Sequence, residues 1–150
     1  MASIASARAC DSGAVSDVFC QIAAGEADAA MVLQTDQVVA FLDRRPVFKG
    51  HVLVCPLPHA TTLSDLPAEQ IGPFFTTVQS IADAVVAGLG CQGTFVAMNN
   101  VVSQSVAHLH CHVVPRTKGD GLKGFFWPRT KYADDAEAQD YADRIAAALG

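Results

Sequence analysis

The sequence predicts an α+β fold, an antiparallel sheet of about five strands packed with one long helix and a C-terminal helix. Three observations carry that prediction. Short strand-like segments flank a single long stretch of 3.6-residue periodicity at 67–89, and a second helical pattern ends the chain at 135–149. The composition, 51% hydrophobic and 17% charged, is that of a chain with a core and not of a disordered one. A length of 150 residues suits one domain. Residues 1–16 are small, polar and aperiodic, so they read as a flexible N-terminal tail, with 17–150 as a single domain.

The elements follow in order. Residues 17–24 read as a short helix with Phe19 and Ile22 turned inward. Residues 31–34 and 38–42 read as two strands, with Thr35, Asp36 and Gln37 as the turn between them. Residues 51–55 (HVLVC) form an apolar strand that begins after Gly50 and is stopped by Pro56. Pro67 opens the long helix, in which Ile71, Phe74, Phe75, Val78, Ile81, Ala82, Val85 and Leu89 recur at steps of mostly three or four, with Gly88 and Gly90 at its end. Residues 94–98 and 108–114 read as strands, and 135–149 as the last helix. The long helix would cover one face of the sheet, leaving the other for a site.

The net charge of −5 and the lack of a basic patch argue against a nucleic-acid partner, although Arg44, Arg45 and Lys49 could meet a small anion. The five cysteines (Cys10, Cys20, Cys55, Cys91 and Cys111) are odd in number and have mostly apolar neighbours. They read as buried thiols in a reducing compartment, not as a disulfide framework. No apolar run reaches membrane-spanning length, and residues 1–16 lack the apolar stretch of a signal peptide. The expectation is a cytoplasmic protein without a membrane partner.

Three of the five histidines lie in His108-Leu109-His110-Cys111-His112. In a strand, alternate side chains share a face, so these three imidazoles point one way, about 7 Å apart along the chain. Leu109, Cys111 and Val113 then point into the core. Three readings stand: a solvated polar face, a metal site built from alternating histidines, or catalysis. Imidazole can attack phosphorus, and a neighbouring imidazole can supply or hold a proton near neutral pH.

The run His108 to Val114 resembles the signature of the histidine-triad (HIT) family, in which three histidines alternate with apolar residues before a final apolar pair. Gly50-His51-Val52-Leu53-Val54-Cys55-Pro56 resembles that family's Gly-His strand, residues 17–22 its N-terminal Cys-Lys-Ile segment, and Val39 to Asp43 its strand ending in an acidic residue. The likeness covers about residues 17–118. Residues 103–108 and 121–129 resemble a HINT-type branch credited with cleaving adenylyl sulfate. The segment around Cys55 resembles the fragile-histidine-triad branch, which cleaves diadenosine polyphosphates.

The resemblance implies a HIT-like fold and a set of roles. His110 would be the nucleophile that forms a nucleotidyl-imidazole intermediate, with its other ring nitrogen held by a backbone carbonyl. His112 would bond a nonbridging phosphate oxygen, and His108 and His51 would support the cluster. Ser105 would protonate the departing anion; a plain turn residue is the competing reading. Gln104 and Asn99 would add donors near the phosphate, with Asn100 the competing choice for Asn99. Asp43 would accept both ribose hydroxyls. Phe19, Ile22 and Leu53 would pack on the purine, where simple core packing is the alternative.

Catalysis itself would need no cofactor. Many bacterial members bind structural zinc, and here the matching positions hold Asp17, Cys20, His59 and His108. The first cysteine of that set is replaced by Asp17. Carboxylates do ligate zinc, so the site is either a mixed one or lost. Family members are usually two-fold dimers, which implies a homodimer, and the aromatic segment around Trp127 would close the partner's pocket. The expected activity is cleavage at the α-phosphate of an adenine-nucleotide conjugate: a phosphoramidate, adenylyl sulfate or a diadenosine polyphosphate. A non-catalytic nucleotide-binding regulator and a metal-binding protein using the triad are the alternatives. The leaving group and the choice of purine are not encoded in these motifs.

Overall fold

Asp17 starts the first helix because its carboxylate oxygen Oδ1 accepts the otherwise unpaired N–H groups of Phe19 and Cys20, at 2.8 and 2.9 Å. Helix α1 (Val18–Ala24) ends at Gly25, whose φ of 77° closes a C-cap on Gln21 and Ile22. These positions come from a computed structural model, which describes residues 16–123 and 130–149. The expected tail through residue 15, and Trp127 with its aromatic neighbours, lie outside the described residues. The chain divides into two units, one ending at Asp120 and the other starting at Gly121.

The first unit carries the strands β1 (Met31–Gln34), β2 (Val38–Leu42), β3 (Val52–Pro56), β4 (Gly93–Ala97) and β5 (Cys111–Arg116), and helix α2 (Ala68–Leu89). Among the described residues the strands form one antiparallel sheet in the order β1-β2-β3-β5-β4. β1 and β2 have the predicted bounds, and the α+β class is the predicted one.

The sheet's two faces follow from the two-residue period of its strands. Val38 and Ala40 of β2, Val52 and Val54 of β3, and Cys111 and Val113 of β5 pack with Phe74, Val78, Ile81 and Val85 of α2. Their neighbours Val39, Phe41, Leu53 and Cys55 pack on the opposite face with Phe19 and Ile22 of α1. β2 and β3 are thus buried on both faces, which is why they read as nearly unbroken apolar runs.

Three strands differ in their boundaries from the sequence reading. His51 belongs to a turn, its N–H donating to Phe48 O at 3.0 Å, so β3 starts at Val52 and runs on through Pro56. β4 spans Gly93–Ala97, one residue earlier than expected. The triad strand begins only at Cys111, not His108. Pairing of β3 with β5 stops at Val54 opposite Cys111. Beyond it stands Pro56, which has no N–H to extend the ladder and whose carbonyl accepts from the His108 ring instead. Alternation nevertheless persists through 108–110, since Leu109 is in the α2-side core.

Gly50 sets the entry to β3. Its φ is 96°, and an added Cβ would collide with Leu89 at the end of α2. A glycine there lets the chain turn into β3 beside the helix terminus.

The second unit contains α3 (Asp135–Ala148). Asp134 caps it by accepting from Glu137 N at 2.8 Å, while Glu137 reaches back to Ala133 N.

Candidate active site

The sheet face opposite α2 opens into a cavity of about 790 Å³. Its apolar wall is built by Phe19, Ile22, Phe41 and Leu53, and His110 and His112 stand in its lining with Asp43 and Ser105. Two short elements make this wall. α1 presents Phe19 and Ile22 three residues apart, one turn of helix, and β2 and β3 present Phe41 and Leu53, which face each other in register.

The three triad rings share this side. His110 is 4.9 Å from His112 between ring centroids, and the Phe19 ring packs on His110 at 5.1 Å and on His108 at 6.0 Å. His108 and His110 are nearly inaccessible, 0% and 2% exposed, while His112 is half-buried. The rings do not converge on one point, however. The donor atoms of His108 gather with those of Asp17 and Cys20, and those of His112 with Asp43 and His51.

Backbone groups fix the protonation of each ring. His110 Nδ1–H donates to the His108 carbonyl at 2.7 Å, so in the neutral ring Nε2 is the nitrogen with a free lone pair. The Val47 N–H donates to His51 Nδ1 at 3.2 Å. His51 therefore donates from Nε2 to His112 Nδ1, 3.0 Å away. His112 is left carrying its proton on Nε2. A relay that starts at one backbone amide thus makes His112 a donor beside His110, which offers a lone pair.

Burial is the main cause that favours the uncharged form of His112, His51 and His108. It pushes the pKa of His112 down to about 4, with further depression from the neighbouring His110 and His51, against a smaller opposing pull from Asp43. Burial likewise lowers His51, opposed by the Asp43 carboxylate, whose Oδ2 lies 3.7 Å from His51 Nδ1. His108 is lowered for the same reason.

Asp43 is held open to the cavity. Its N–H donates to His51 O at 2.9 Å and its Oδ1 accepts from Arg45 N at 2.8 Å. Ser105 lines the cavity with an exposed side chain. Asn99 and Gln104 are not brought into the lining. Gln104 spends both ends of its amide on the loop, donating to Thr61 O at 2.6 Å and accepting from Val101 N at 3.0 Å, while Asn99 donates to Ser103 O at 3.2 Å. Asn100 is also engaged elsewhere, accepting from Leu63 N at 2.7 Å.

The four residues singled out for metal come together behind His110. Asp17 Oδ2 lies 3.1 Å from His59 Nε2 and 3.3 Å from His108 Nδ1, and Cys20 Sγ lies 3.6 Å from His108 Nδ1. A tetrahedral zinc with bonds of about 2.0–2.3 Å has edges of roughly 3.3–3.7 Å, so the spacing of Asp17, Cys20 and His108 fits, while His59 approaches the group through Asp17. Asp17 Oδ2 is buried without a hydrogen-bond partner. His108 Nε2–H is committed to Pro56 O at 2.9 Å, which leaves Nδ1 to face the cluster. His59 Nε2 donates to Ala107 O at 2.9 Å and would have to release that proton to ligate.

Sequence reasoning did not reach the backbone of Val47, Pro56 and Ala107, which sets the ring tautomers. A backbone N–H or C=O has no side-chain signature, so no sequence signal existed. It also passed over Phe41 and Val106, which line the cavity; Phe41 could have been found from its place opposite Leu53.

Comparison with known proteins adds a family-level likeness. A model described as the HIT domain matches residues 24–119. An uncharacterised HIT-like protein from Methanocaldococcus jannaschii is 38% identical over 106 residues, 69% of this chain and 81% of that protein. An adenosine 5'-monophosphoramidase from Schizosaccharomyces pombe is 31% identical over 116 residues, 76% of this chain and 84% of that protein. The crystal structure of a zinc-bound histidine triad family protein from Mycobacterium smegmatis superposes with a TM-score of 0.67 at 32% identity, covering 87% of this chain and 96% of that one.

Proposed function

The chain belongs to the HIT family, and from that premise we propose that it is a nucleotide hydrolase or nucleotidyl transferase acting at the α-phosphate of adenine-nucleotide conjugates. One observation carries the reading: His110 Nδ1 is tied to the His108 carbonyl while the ring lines the cavity, which leaves Nε2 as a nucleophile.

In the first step the Nε2 lone pair forms a bond to the α-phosphorus as the bond to the leaving group breaks. The leaving group departs with the bonding electrons and takes a proton from the Ser105 hydroxyl. His112, carrying its proton on Nε2, donates to a nonbridging oxygen as negative charge gathers there. Water then attacks the nucleotidyl-imidazole and passes a proton to the Ser105 oxygen, the P–N bond breaks, and the electron pair returns to Nε2. Asp43 accepts the ribose hydroxyls, and Phe19, Ile22 and Leu53 receive the purine. Phosphoramidates, adenylyl sulfate and diadenosine polyphosphates all present the same adenylyl half to this cavity. Asn99 and Gln104 would act indirectly, by holding the loop that carries Ser105.

Zinc, where bound, would serve as a structural cross-link held by Asp17, Cys20, His59 and His108; the chemistry at phosphorus uses only side chains. The thiols of Cys55, Cys91 and Cys111, unbridged among the described residues, suit a reducing cytoplasm. A homodimer is part of the reading, supported by the exposed Ile71 and Phe75 on α2.

The test is a turnover panel of an adenosine phosphoramidate, adenylyl sulfate and a diadenosine polyphosphate, with GMP analogues alongside. At least one adenylyl compound should be cleaved. His110→Asn should lower kcat by at least about a thousandfold while nucleotide affinity changes little. Normal turnover in that variant, or an adduct trapped on another side chain, overturns the proposal. Binding without any turnover in the wild type would favour a regulatory nucleotide sensor.

A further inference from the structure

Asp17 performs two tasks with its two carboxylate oxygens. Oδ1 caps α1 through the N–H groups of Phe19 and Cys20. Oδ2 has no hydrogen-bond partner, although it is buried, and it faces His59 Nε2 at 3.1 Å and His108 Nδ1 at 3.3 Å. Cys20, 2% exposed, brings its sulfur to 3.6 Å from the same His108 nitrogen. An anionic oxygen, a thiol and an imidazole lone pair packed together form a donor set that a divalent cation would satisfy.

This cluster touches the nucleophile at two points. The ring of His108 belongs to the cluster, and the carbonyl of the same residue accepts the Nδ1–H of His110 at 2.7 Å. Phe19, whose N–H is capped by Asp17, packs its ring on His110 with the centroids 5.1 Å apart. Whatever fixes Asp17 and His108 therefore fixes both the hydrogen bond that orients His110 and the aromatic wall against it.

We infer that Asp17 is a positioning residue for His110, and that divalent-cation occupancy of the Asp17–Cys20–His59–His108 cluster sets how firmly the nucleophile is held. This rests on His110 being the nucleophile. The carboxylate is suited to the coupling because it binds the helix and the cation at once. The caps and the cavity wall belong to one short helix of seven residues, so a shift of Asp17 is carried directly to Phe19.

The experiment compares wild type, Asp17→Asn and Asp17→Cys, each purified with added zinc and again after chelation. Asn keeps a capping oxygen but removes the anionic ligand, while Cys restores an anionic zinc ligand. Three quantities are read: zinc per chain, the 15N signals of the His110 ring, and kcat against KM on whichever adenylyl compound the wild type cleaves. Wild type should hold about one zinc, and Asp17→Asn close to none. Asp17→Asn and chelated wild type should show the same shift of the His110 ring signals and a fall in kcat of about tenfold, with KM changed less. Asp17→Cys should regain zinc and the wild-type ring signals.

A wild type that takes up no zinc overturns the inference. So does an Asp17→Asn variant that lacks zinc yet keeps the wild-type ring signals and kcat. So does chelation that leaves wild type unaltered while Asp17→Asn is impaired, since the defect then comes from the helix cap alone. Absence of turnover in every wild-type preparation would sink the hydrolase reading instead, and zinc content and the ring signals would still decide the role of Asp17.

Discussion

Histidine side chains of one chemical type take different tasks here because each ring nitrogen faces a different group. His110 is oriented by a carbonyl, His112 by another imidazole, and His108 by Pro56 O on one side and Asp17 with Cys20 on the other. Keeping His112, His51 and His108 neutral has a cost below neutral pH. The unfolded chain binds a proton to His112 near pH 6.5, the folded chain only near pH 4. Stability is therefore complete above about pH 6.5 and falls as pH drops from about 6.5 towards 4. Because the ring is partly solvated, this residue accounts for about 2 kcal/mol of that loss, less than its full shift implies. His51 and His108 are shifted the same way and steepen the fall. Urea denaturation at pH 7.5 and 4.5 checks this; equal midpoints would refute it. The adjacent loop carries backbone strain of its own, since Val101 and Ser103 have φ of 69° and 61°, where β-branched valine is rarely found.

At the scale of elements, α2 separates its residues by depth. Phe74 is 1% exposed in the core against the sheet, whereas its neighbour Phe75 is 39% exposed. Phe74→Ala should cost about 3–5 kcal/mol of unfolding free energy, by loss of burial and by the cavity left behind. Phe75→Ala should cost the isolated monomer under about 1 kcal/mol. Denaturation curves of the two variants at low protein concentration test the contrast. α2 also contains Pro73, an interruption the hydrophobic period alone does not report. The missing N–H falls near the start of the helix, where the loss of one ladder bond is tolerated by a run of 22 residues anchored through four buried side chains.

For the whole molecule, the exposed apolar side chains of Ile71 and Phe75, one turn apart on α2, and of Val96 on the edge strand β4 are suited to covering by a second copy of the chain. Light scattering should show a dimer of the wild type, and Phe75→Glu should shift it to monomer by placing a charge where an apolar contact is needed. A monomeric wild type at working concentration would remove the dimer from the proposed function. No helix among the described residues is long and apolar enough to cross a membrane.

The sequence alone determined the elements and the faces. Periods of two and 3.6 residues dictate which side chains share a surface, so β1, β2, the course of α2 and the common side of His108, His110 and His112 could be read directly. It also singled out Asp17, Cys20, His59 and His108; the fold brings the donor atoms of Asp17, Cys20 and His108 together, with His59 beside Asp17. What only the tertiary structure decided is which nitrogen of each ring carries its proton, where the triad strand begins, and that Gln104 and Asn99 hold a loop instead of lining the cavity. These depend on carbonyls and amides brought close from distant parts of the chain. Every residue carries the same backbone groups, so only folding reveals which of them meet a given side chain.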